Sequence, residues 1–198
     1  IVGECFSRYP ASGTASRLAG GHWKLAAEAE QAFAEHFGHA ECLFFPSGYQ
    51  ANLAWVTGLL HAGQQVFADR RIHASIARAI PLSGAELRTW AHADNEHLNR
   101  RLASTADPET QPLVVTESLF SMDGTVADLE NLAALRQEHG FFLVLDEAHA
   151  VGALGPGGRG LAPSRPGTAD VVVGTFGKAL GFFGAFLLLP RGFVSILE

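Results

Sequence analysis

A single α/β domain, built on a mostly parallel seven-stranded sheet with helices on both faces, is what this sequence of 198 residues predicts. Three observations lead there. Short apolar runs alternate with stretches of helical length, and that alternation belongs to parallel neighbours joined by crossover connections. Residues able to do chemistry fall just after five of those runs, at the carboxyl ends of strands, where open α/β sheets collect ligands. The composition, 47% hydrophobic and 17% charged, is that of a chain able to bury a sizeable core.

The helical stretch Leu25–Phe37 precedes the first strand, Cys42–Phe45. Gln50–His61 then leads to Gln65–Ala68, and Ile76–Leu82 leads to Glu86–Trp90. Asn95–Ala103 precedes Leu113–Thr116. Leu129–His139, with Asp128 placed as N-cap and Gly140 as the αL residue that ends it, precedes Phe141–Leu145. Val171–Gly174 opens on three valines and reads as a buried strand, and Ala185–Leu189 closes the set. Gly152–Gly167, rich in Gly and Pro, is expected to be a loop. Residues 1–198 are taken as one domain.

A net charge of −6 and a pI near 5.8 give no electrostatic footprint for nucleic acid or an anionic membrane surface, so the partners expected are small molecules. Cys5 and Cys42 form neither a disulfide framework nor a metal-ligand pattern, and no metal is expected. No apolar run reaches membrane-spanning length and the opening residues lack a signal-peptide layout, so no membrane is expected and the cytoplasm is the expected compartment. The abrupt start and the apolar end suggest a piece of a longer chain.

The most informative segment is Val171–Gly184, in which Lys178 stands in a Gly-rich turn directly after a buried strand. A lysine partly withdrawn from water loses its proton readily and attacks carbonyl carbon. Leu143–His149, LVLDEAH, ends a strand in an acid pair, which is also how nucleotide hydrolases hold magnesium. That alternative needs a GxxxxGK[ST] loop, however, and Gly177-Lys178 is followed by Ala179 and has Val172 five positions before Gly177. Taken with Lys178, Asp146 makes different sense: a carboxylate for a protonated pyridine nitrogen, beside an amine for an aldehyde on the same ring, as pyridoxal 5'-phosphate requires. His149, three residues on, reaches the same ligand if the chain turns helical, and the imidazole of His73 is flat enough to stack on a ring. Pro46–Asn52 offers backbone N–H groups at a helix start for a phosphate, and Thr175 adds a hydroxyl. The bland alternatives are that Asp146 caps a helix, that Lys178 is solvated, and that each histidine is one of nine ordinary ones.

Assembled, these residues resemble the α-oxoamine synthase family of fold-type-I pyridoxal phosphate enzymes. The matching blocks are Ser12–Gly21, Phe44–Ala54, His73–Ile76, Val114–Leu129, Leu143–Gly160 and Thr175–Gly181, in family order over nearly the whole chain. The resemblance implies the large domain of the aminotransferase-like fold, with the smaller domain largely missing from this chain. It implies Lys178 as the Schiff-base lysine, Asp146 at the pyridine nitrogen and His73 on the ring face. Ser121 and His149 would lie near the phenolic oxygen, and Gly48, Tyr49 and Thr175 at the phosphate. Lys178, His73, Asp146 and His149 are then the catalytic set. It also implies an amino acid and an acyl-CoA or acyl-carrier thioester as substrates, condensed with decarboxylation, and a homodimer with the site at its interface. Two departures stand out. The region GHWKLAAEAE has Ala26 where the family often carries a histidine, with His22 displaced, and Phe182-Phe183 replaces smaller residues. The arginine that grips the amino acid carboxylate belongs to the second domain, which leaves open a domain that keeps the cofactor without turnover.

Overall fold

The computed structural model describes residues 4, 7–9, 15–104, 111–162 and 169–197. Cys5, Ser12–Thr14 of the first family block, and the end of the Gly-rich stretch expected as a loop lie outside them. The chain alternates α1 (Lys24–Phe37), β1 (Glu41–Phe45), α2 (Gly48–Leu59), β2 (Gln65–Asp69), α3 (Ala74–Ala79), β3 (Glu86–Trp90), α4 (Asn95–Ala103), β4 (Leu113–Glu117), α5 (Leu129–His139), β5 (Phe142–Asp146), β6 (Val171–Thr175), β7 (Ala185–Leu189) and α6 (Val194–Leu197).

All seven expected strands form, and they join in one sheet of order β1-β7-β6-β5-β4-β2-β3. The pairs β2·β3, β2·β4, β4·β5 and β5·β6 are parallel, whereas β7 is antiparallel to both β1 and β6. The connection Phe176–Gly184 is too short for a crossover, so β7 reverses direction. Because β1 and β6 both oppose β7, they run the same way. The carboxyl ends of β1, β2, β4, β5 and β6 therefore meet at one edge, as expected.

Alternation along the strands feeds two cores. Leu43, Val66, Ala68, Val115, Val144, Val173 and Leu187 face α2 and α3, burying Trp55, Val56 and Ile76. Cys42, Phe67, Val114, Leu143, Val172 and Phe186 face the other side, under Phe37 of α1, Leu98 of α4 and Leu132 of α5. This is the two-faced cover that a mostly parallel sheet needs. Gly174 is required by the packing: in register with Phe186, it lies so close that a Cβ would sit 2.1 Å from the Phe186 ring.

Helix ends follow local chemistry. Asp128 caps α5 by accepting the Asn131 N–H, and Gly140 ends it in the αL conformation, as expected. Two helices start earlier than their apolar patterns suggest. Ser47 caps α2, accepting the Gln50 N–H at 3.2 Å, and the imidazole Nδ1 of His73 does the same for Ser75 in α3. The stretch expected as one helix through Leu82 changes to a 3₁₀ turn over Ile80–Ser83, because Pro81 brings no N–H to the α ladder.

Candidate active site

At the shared strand edge lies a cleft of about 160 Å³ lined by residues from five strand ends: Gly48 and Tyr49 after β1, His73 after β2, Glu117 of β4, Asp146 and His149 from β5, and Thr175 and Lys178 from β6. A larger hollow, about 500 Å³, opens at the opposite edge among Leu59, Gln64, Phe142 and Phe193, but among the described residues His61 is the only ionisable side chain lining it. The chemistry lies in the smaller cleft.

Lys178 Nζ is 2.6 Å from His149 Nε2. Desolvation lowers the lysine's pKa, against the pull of the Asp146 and Glu117 charges. Burial and the lysine's own charge lower that of His149. Nζ therefore donates and Nε2 accepts, and burial weakens the amine's hold on its proton. Asp146, buried at the end of β5, accepts the Ala148 N–H at 2.9 Å and, at 3.4 Å, the amide of Asn52.

Asn52 is the centre of a buried chain. Trp55 Nε1 donates to Asn52 Oδ1 at 2.9 Å, Asn52 Nδ2 donates to Ser75 Oγ at 3.0 Å, and Ser75 Oγ lies 2.7 Å from His73 Nδ1. The Ser75 N–H also points to Nδ1, so Nδ1 is the acceptor and the ring hydrogen is on Nε2. One network thus orients His73 and supports Asp146. Glu117 adds a third carboxyl. Burial first, and then the Asp146 charge, push its pKa up to about 8, against the pull of Lys178, so it holds its proton well above the usual carboxylate range.

Of the expected residues, Gly48, Tyr49, His73, Asp146, His149, Thr175 and Lys178 all line the cleft. Ser121 is not among its lining residues; it sits exposed in the turn between Phe120 and Thr125. The Thr175 hydroxyl donates to the Gly184 carbonyl at 3.0 Å and accepts the Gly177 N–H at 3.2 Å, so in this conformation it shapes the lysine turn. Glu147 points away from the cleft, fully buried, and takes the N–H groups of Leu161 and Ala162. Ser75 is a lining residue absent from the sequence expectations, whereas Glu117 was expected at the end of the fourth strand and Asn52 within the Pro46–Asn52 turn, neither with a side-chain role. Asn52 was findable at i+4 from Gly48, on the same helix face, whereas nothing local marks Ser75.

Residues 10–198 match the family model described as aminotransferase class I and II. The chain is 41% identical over 197 residues to a Bacillus cereus protein named "Putative 8-amino-7-oxononanoate synthase", covering 98% of this chain and 50% of that protein. It is 40% identical, with the same coverage, to a Bacillus mycoides protein of the same name. Among solved structures, a serine palmitoyltransferase from S. paucimobilis with bound PLP-myriocin aldimine superposes with a TM-score of 0.90 at 32% identity, over 98% of this chain and 51% of that one. The 8-amino-7-oxononanoate synthase of Francisella tularensis gives 0.82 at 29% identity, over 99% and 54%. The chain spans about half the length of the curated relatives it matches. Its strand order, its lysine cleft and these matches agree: the chain belongs to the class I and II aminotransferase family, and its resemblance to the α-oxoamine synthases is borne out.

Proposed function

We propose that this chain binds pyridoxal 5'-phosphate through Lys178 and serves an acyltransferase of the α-oxoamine synthase type. The enzyme would join an amino acid to an acyl thioester with loss of carbon dioxide. The preferred substrates are L-alanine and pimeloyl-CoA or a pimeloyl carrier protein, giving 8-amino-7-oxononanoate for biotin synthesis. The 41% identity to a Bacillus cereus protein of that name, against 32% to the serine palmitoyltransferase, supports this choice. The carrying observation is the pairing of Lys178 Nζ with His149 in the cleft that also holds Asp146.

The residues present fit the cofactor. Ser47 takes the Gln50 N–H on its hydroxyl and the Ala51 N–H on its carbonyl, which leaves the first two N–H groups of α2, on Gly48 and Tyr49, for a phosphate. A Cβ on Gly48 would meet nothing within 4 Å, so this approach is open. Asp146 brings a buried carboxylate for the ring nitrogen, and His73, its Nδ1 tied back to Ser75, presents a flat face. Bound there, the cofactor supplies an electron sink for a carbanion. Lys178 Nζ, its proton already loosened by burial, takes the α-proton of the substrate, and His149 Nε2 orients that nitrogen and receives its hydrogen bond. The chain acts within a homodimer, and the exposed Phe182 and Phe183 beside the lysine turn supply an apolar face for the second copy. Cys42, free and buried, fits a reducing cytoplasm.

The test is thiol release from pimeloyl-CoA by the cofactor-loaded protein with alanine, glycine or serine. Release dependent on alanine supports the assignment. Release with serine or glycine alone moves the substrate within the family, and cofactor binding without release under any of them overturns the enzymatic reading.

A further inference from the structure

Outside the lining of the cleft, a second polar chain ties together the segment that delivers His73 and the turn that follows Glu117. Asp69, at the end of β2 and 1% exposed, accepts the Arg71 N–H at 2.7 Å and the Ala93 N–H at 2.9 Å, and its Oδ1 lies 3.0 Å from His92 Nδ1. The other ring nitrogen of His92 is 3.6 Å from Asp123, which is also ion-paired with Arg71 and accepts the Thr125 N–H. The edge of Phe120 meets the His92 ring at 4.5 Å and 87°. Ala93 holds a φ of 53°, a conformation that a residue with a side chain keeps only where its surroundings over-determine the backbone.

These contacts join the His73 segment to the turn after β4. Asp69 folds the short segment Arg70–His73 that delivers the His73 ring, for Ile72 N–H also returns to the Asp69 carbonyl. Asp123 belongs to the turn that follows Glu117 and carries Ser121, closed by Phe120 N–H to Thr125 carbonyl and by the Leu119–Val126 bridge. His92 is hydrogen-bonded through Nδ1 to buried Asp69, while its Nε2, 3.6 Å from Asp123, makes no hydrogen bond; the Asp69 contact braces the segment more stiffly than the exposed Arg71–Asp123 pair can, because an exposed pair is screened and flexible.

We propose that His92, hydrogen-bonded to Asp69 and facing Asp123, is a positioning residue that fixes the Arg70–His73 segment, and so the His73 ring and the orientation of a planar aromatic cofactor stacked on it. The inference rests on the reading that the cleft binds pyridoxal phosphate. His92 touches neither cofactor nor substrate and acts through the segment it fixes.

The experiment loads the full chain, His92→Gln, Asp123→Asn and the double variant with pyridoxal phosphate. It records the circular dichroism of the cofactor absorption band, the rate of cofactor loss on dilution, and the melting temperature. Band dichroism reports ring orientation, which a merely structural role would not move in a variant that melts normally. The expected result is dichroism cut at least by half and cofactor loss faster by about tenfold in each single variant. The double variant should be no worse than the more affected single one, since both substitutions break one linkage. Arg71→Gln, at the exposed end of the chain, should shift the band in the same sense by less, and it remains informative if the buried variants fold poorly. Unchanged dichroism and retention in all variants of a protein that loads normally overturns the positioning role alone. A protein that acquires no band overturns the cofactor reading and this inference with it.

Discussion

Lys178 and Asp146 were legible because a lysine and a carboxylate each follow an apolar strand, and strand ends gather in this kind of sheet. What tunes them was not. Their supports, Asn52, Trp55 and Ser75, come from helices on one face of the sheet, and only folding brings the Asn52 amide to within hydrogen-bonding reach of both Ser75 and Asp146. If Asp146 is the partner of the ring nitrogen, Asp146→Asn retains the cofactor band but lowers turnover on the order of a thousandfold, about 4 kcal/mol of lost carbanion stabilisation. A near-normal rate in that variant would remove Asp146 from the role. Glu147 gives a separate, measurable signature. Its burial raises its pKa from 4.5 to about 7, so across that window the folded protein holds a proton the unfolded chain has released. The stability this group contributes is complete at lower pH and falls as pH rises through the window, by at most about 1.4 kcal/mol per pH unit. Glu147→Gln should flatten that part of the melting profile, and a variant profile parallel to that of the unaltered protein would contradict the assignment.

At the scale of elements, the inner strands were readable because each is a short apolar run facing two packed layers, a pattern that survives without knowledge of neighbours; β3, half-exposed at the sheet edge, carries it least. Helix starts were less so, since the caps Ser47 and His73 are polar and precede the apolar periodicity. Pro81 is a visible breaker that the reading of Ile76–Leu82 as a single helix passed over. The antiparallel insertion of β7 follows from a short connection rather than from anything in its own five residues. Gly174 makes the packing testable: with Phe186 across it, Gly174→Ala overfills the layer and should cost about 1–3 kcal/mol. That corresponds to a melting point lower by roughly 2–10 °C. An unchanged melting temperature would mean that the Phe186 ring has room to move aside.

For the whole molecule, the sheet is a platform with one chemically furnished edge, and the residues on that edge come from segments scattered between Gly48 and Lys178. The apolar rim beside it, Phe182 and Phe183 at 80% exposure each, is what a second copy would cover. Replacing both with Glu should convert the proposed dimer to monomer in sedimentation while leaving the melting point within a few degrees, and a dimer that persists would relocate the interface. The central claim is tested most directly by adding pyridoxal phosphate, reducing with borohydride and mapping the modified peptide by mass spectrometry. The account predicts one reduced cofactor per chain, on Lys178, and none in Lys178→Ala. Labelling on Lys24, the other lysine of the sequence, or labelling unchanged in that variant, would contradict it.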